Sequence, residues 1–85
     1  MAVRKRSVSI AGHATSFSLE DEFWRGLQAL AAQRQCSLAA LVLEIDASRT
    51  PDANLSSAIR LYLFEAARQG RLSIEAVGPL NDTVD

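Results

Sequence analysis

Residues 6–19 alternate between apolar and polar with a period of two. Val8 and Ile10 fall on one side of the run, Ser7 and Ser9 on the other. After Ala11-Gly12-His13-Ala14 the alternation resumes, with Thr15, Phe17 and Leu19 set against Ser16 and Ser18. Alternation carried by β-branched and aromatic residues predicts strand in both halves. Gly12 either turns the chain into a hairpin or marks a bulge in one long strand. Such a ribbon has a single apolar face and is not stable alone.

The period then lengthens. From about Asp21 to Gln35, Phe23, Trp24, Leu27, Leu30 and Ala31 recur at helical spacing. Glu20, Asp21 and Glu22 meet the positive end of that helix dipole, with Ser18 or Glu20 as N-cap. Ser37 caps a second helix whose one face carries Leu38, Leu41, Val42 and Ile45. Cys36, just before the cap, is placed to pack against Leu41 as a hydrophobic staple. Thr50-Pro51 bounds this helix. Asn54 caps a third, with Leu55, Ala58, Ile59, Tyr62, Leu63 and Ala66 on one broad side. Leu61 and Phe64 extend its apolar surface past half the circumference, which calls for contacts on two sides. Gly70 supplies its stop. Residues 4–69 therefore read as one domain and 70–85 as a tail that is briefly extended at Leu72 and Ile74, then loose.

Composition narrows the class. At 85 residues there is room for one small domain, and a fold this size hides only about 60% of its unfolded surface. No apolar run approaches a membrane span, and Arg4-Lys5-Arg6 is not followed by the apolar core of a signal peptide. A single cysteine fits a reducing cytoplasm, and one cysteine with one histidine gives no metal site within a chain. The net charge of −1 hides an asymmetry: residues 1–19 carry Arg4, Lys5 and Arg6 and no acid, while residues 20–85 carry six arginines against ten acids. A basic end on an acidic body points at an anionic partner, or is a plain solubilising terminus. Nothing reads as an enzyme or as a cofactor site. His13 has no nucleophile at readable spacing, Glu20 to Glu22 form a solvated helix start, and Trp24 stands at a core position.

Strand, helix, turn, helix is the order of a ribbon-helix-helix module, and particular segments carry the resemblance. Thr15-Ser16-Phe17-Ser18-Leu19-Glu20 resembles that family's strand and acidic helix start. Phe23-Trp24-Arg25-Gly26-Leu27-Gln28-Ala29-Leu30-Ala31 resembles its first helix, and Cys36-Ser37-Leu38-Ala39-Ala40-Leu41-Val42 the turn and capped start of its second. The run RKRSVSIAGHATSFSLEDEFW, with SLAALVLEIDASR and NLSSAIRLYLFE after it, is similar to a bacterial subfamily that adds an N-terminal strand and a C-terminal helix to the core. The resemblance to this Arc- and MetJ-like family covers about residues 4–67.

It implies a mainly α fold with a short β-ribbon, a third helix, and an intertwined homodimer. A lone strand bearing Phe17 and Leu19 has unpaired backbone groups, and antiparallel pairing with the same strand of a second chain satisfies them. The shared core would then hold Phe17, Leu19, Trp24, Leu27, Leu41, Val42 and Ile45. The outward strand positions Ala14, Ser16 and Ser18 would face the bases of the DNA major groove. Serine discriminates bases weakly, and Ala14 departs from the long basic or amide residue that relatives often carry. Phosphates would meet Arg4, Lys5, Arg6 and His13, and also Ser37 with the amides of Leu38 and Ala39 at the start of the second helix. Gln35 stands where relatives often use glycine to end the first helix.

Two functions are in view. One is a cytoplasmic transcriptional regulator bound to double-stranded DNA. The other is a dimeric protein-interaction module that regulates an enzyme or toxin, with the third helix contacting a protein partner or building a tetramer. The first predicts salt-dependent duplex binding, the second none.

Overall fold

The structure is a computed structural model that describes residues 3–72. Two strands, β1 (Val3–Ile10) and β2 (His13–Glu20), are followed by helices α1 (Asp21–Gln33), α2 (Leu38–Ser48) and α3 (Leu55–Arg68). The glycine turn is a hairpin. Ala11 and Gly12 both have positive φ, 50° and 84°, the signature of the tight turn that matches strand twist. The register runs from Ile10 opposite His13, through Ser7 opposite Ser16, to Val3 opposite Glu20.

This pairing changes the role expected of the first strand. The sequence left β2 with bare edges and nothing over Phe17 and Leu19. In the structure β1 occupies one edge, and the chain's own helices close over the inner face. Phe17 and Leu19 are buried together with Leu27, Leu30, Leu41, Val42, Ile45, Ile59 and Leu63, so the core closes within one chain. The physical reason is length: a two-residue turn lets residues 3–10 fold straight back, and Val8 and Ile10 add their apolar side to the same core. Trp24 is half-buried at the margin, its ring 6.2 Å from that of Phe17.

The helix ends follow local chemistry. The Ser37 hydroxyl accepts from the Ala40 amide at 3.0 Å, and the Asn54 carbonyl from Ser57 at 2.8 Å. Glu20 is the N-cap of α1 but makes no side-chain cap bond. Its carboxylate is turned to Arg60 of α3 instead, at 3.0 Å. Cys36 packs half-buried against the core that contains Leu41, as a staple requires.

Helix α1 ends two residues before the sequence pattern does. Cys36 donates to the Ala31 carbonyl and Gln35 to Ala32, closing the helix with Gln35 in the left-handed region at φ 55°. A side chain there costs about 1–2 kcal/mol that glycine avoids, offset in part by glycine's greater freedom when unfolded. Gln35→Gly is therefore expected to stabilise the fold by about 0.5–1 kcal/mol, raising the thermal midpoint by about 4 °C. A lower midpoint would show that the Gln35 side chain has a compensating role. The same closure ends α3, where Gly70 has φ 77° and the Arg71 amide reaches the Ala66 carbonyl. That turn sends the chain back onto the body and buries Leu72, so the core extends past Gly70. Ile74 and the rest of the expected tail lie outside the described residues.

Beyond the core, Arg34 joins three helices. Its guanidinium meets the two Glu44 oxygens at 3.0 and 2.6 Å and the Tyr62 hydroxyl at 2.9 Å, and that hydroxyl donates to Glu44. The Arg34 hydrogen bond, then that of Tyr62, holds the Glu44 carboxyl below its ordinary range. Arg34 and Glu44 are solvent-exposed, so their ion pair orients the helices more than it stabilises them.

Candidate nucleic-acid interface

A strand points alternate side chains to opposite faces, and the hairpin register lines two such rows side by side. On the face away from the helices, Ser9 stands across from Ala14, Ser7 from Ser16, and Lys5 from Ser18. All six are exposed. The row is polar apart from Ala14, its side chains small apart from Lys5, which is its cation. Glu20 continues it at the far end, where the Arg60 hydrogen bond lowers its pKa and the arginine offsets its charge.

The N-terminal cations do not stay together. Arg4 and Arg6 differ from Lys5 by one position and so point to the helix side. Asp21 holds both, at 3.4 Å from Arg4 and 3.1 Å from Arg6. The Arg6 guanidinium also lies over the Trp24 ring, 4.6 Å from its centroid. Arg6 is thus mostly covered, its side chain 26% exposed, while that of Arg4 is 63% exposed. His13 shares the parity of Thr15 and Phe17 but sits exposed at the hairpin end. Of the four N-terminal candidates for phosphate contact, Lys5 alone shares the outer face with Ser16 and Ser18.

The sequence pattern did not single out Ser7 and Ser9 as site residues. Their alternation was visible, but their placement opposite Ser16 and Ala14 depends on a register that only the turn sets. In sequence Asp21 is a helix-dipole residue, and its hold on Arg4 and Arg6 is a tertiary contact with no local signal.

The opposite edge of β2 meets α3 at one end. The Ser18 amide points away from β1 and donates to the Ser56 hydroxyl at 3.0 Å. In an antiparallel pair the inward and outward backbone groups alternate by residue, so Ala14 and Ser16 also turn theirs to this outer edge. At the start of α2, Ser37 is exposed and Leu38 and Ala39 are half-buried. The amides of Leu38 and Ala39 fall in the first turn, where no intrahelical acceptor exists. Among the described residues no three metal-ligating side chains come together, and no helix is long and apolar enough to cross a membrane.

A sequence profile of the ribbon-helix-helix domain matches residues 3–67. Searches of the curated proteins and of the solved structures find no significant match. Proteins with this domain are generally DNA-binding transcription regulators, typically homodimeric, and the fold is typically non-enzymatic. The match takes in the hairpin, both core helices and nearly all of α3, and on it the chain belongs to the ribbon-helix-helix domain family.

Proposed function

We propose that this chain is a DNA-binding transcriptional regulator that works in the cytoplasm as a homodimer. Two copies of β2 pair antiparallel through the outer-edge groups of Ala14 and Ser16, the Ser18 amide being held by Ser56 of its own chain, and present Ala14, Ser16 and Ser18 to the major groove. The observation that carries the reading is the exposed row of small hydroxyl side chains on the helix-free face, within a family whose members generally bind DNA. Small residues let the sheet approach base edges closely, and each serine both donates and accepts. Phosphates would meet Lys5 and, at the start of α2, Ser37 with the first-turn amides of Leu38 and Ala39. Arg4, with its more exposed side chain, and His13 at the hairpin end are secondary phosphate contacts. Arg6 can reach DNA only by leaving Asp21 and Trp24.

The test is duplex binding across a salt series. Affinity for random duplex DNA should fall linearly on logarithmic axes, by about 0.9 in slope per phosphate neutralised, with two chains bound per site. Ser16→Ala combined with Ser18→Ala should leave the fold intact and flatten the preference among duplexes selected from a randomised pool. An unchanged preference would move base reading to other residues.

One observation favours the second reading, a protein-interaction module. Leu61 and Phe64 are 66% and 63% exposed on α3 and lie next to each other at helical spacing. Under that reading the chain binds no duplex even at low salt.

A further inference from the structure

We propose that β1 is a backbone-gripping flank, in which Lys5, Ser7 and Ser9 contact DNA phosphates while β2 reads bases. The inference rests on the DNA-binding reading above and adds a division of labour between the two strands. It follows from widths. Neighbouring strands lie about 4.8 Å apart, so a sheet ordered β1–β2–β2–β1 across two copies spans about 14 Å between its outer strand axes. The major groove is about 12 Å wide and accepts a two-stranded ribbon. The central β2 pair fits between the groove walls. The two β1 strands fall over the walls, which are the sugar–phosphate backbones.

The residues on β1 suit that position. Its outer row is Lys5, Ser7 and Ser9, in register with Ser18, Ser16 and Ala14 of the reading strand. A lysine ammonium and serine hydroxyls are phosphate donors that carry little base information. The inner row is engaged elsewhere: Arg4 and Arg6 hold Asp21, and Val8 and Ile10 pack on the core. Those contacts fix β1 to the body, so its outer row is presented as a rigid rail. Glu20, the acid on the same face, is matched by Arg60 and does not cancel Lys5.

The experiment compares Lys5→Ala and the pair Ser7→Ala with Ser9→Ala against the unaltered chain. Two probes are used: a random duplex, and the tightest duplex recovered from a randomised pool. Lys5→Ala should weaken both probes alike and reduce the salt slope by about two for a dimer, one for each lysine. The serine pair, which removes four contacts from a dimer, should weaken both probes by about thirtyfold or more and leave their ratio unchanged, because hydrogen bonds to a charged phosphate are lost equally from every sequence. If the serine pair changes the ratio between probes, β1 lies inside the groove and the proposal is overturned. An unchanged salt slope in Lys5→Ala overturns it as well, while leaving the DNA reading standing. Absence of duplex binding by the unaltered chain removes both.

Discussion

Phe17→Asp should leave the chain unfolded. Phe17 is buried beside Leu19 and contacts the Trp24 ring, and helices α1 and α3 both pack on that strand. The substitution removes a large apolar side chain and asks for an unpaired carboxylate in its place, a combined loss of more than about 4 kcal/mol. A chain of this length holds roughly 4–13 kcal/mol in total. Far-UV circular dichroism with urea titration would read the outcome. Cooperative unfolding at the original midpoint would show that the core is not built over β2. The result does not depend on a second copy, because one chain already encloses Phe17.

The second large effect is expected at Leu72→Ala. Sequence pattern places residue 72 beyond the helical stop, in a short extended segment ahead of a loose tail. The turn at Gly70 instead directs Leu72 into the core, where it is 5% exposed. Removing its side chain should cost about 2–3 kcal/mol in the same titration, on the scale of a core leucine. A change below about 0.5 kcal/mol, typical of a surface site, would mean that the chain leaves the body at Gly70.

Residues whose neighbours in space are neighbours in sequence were readable. The 3.6-residue spacing of Leu27, Leu30 and Ala31 gave α1, and Ser37 and Asn54 marked the starts of α2 and α3 as caps. Gln35 stood out because a glycine-type position held a side chain, and its φ of 55° agrees. The hairpin was less legible. Ala-Gly lacks the Asn-Gly signature of a tight turn, so a bulge stayed equally open until the backbone angles decided it.

That one uncertainty spread to the site. Without the register, Arg4, Lys5 and Arg6 looked like one basic cluster, whereas a strand divides them between two faces. With it, the charge asymmetry of the sequence shrinks at the surface, because Asp21 offsets much of what Arg4 and Arg6 carry. The apolar excess of α3 was visible from composition, and Leu61 and Phe64 are indeed left outside the core of one chain.

Val3 is the first residue of β1 and stands two positions from Lys5, in the same outer row. A purification handle joined there would emerge alongside the outer serine row. A histidine-rich or acidic handle would then compete for, or repel, the same anionic surface. Binding curves recorded with such a fusion would describe the handle as much as the protein, and cleaved material is the proper specimen for every titration described above.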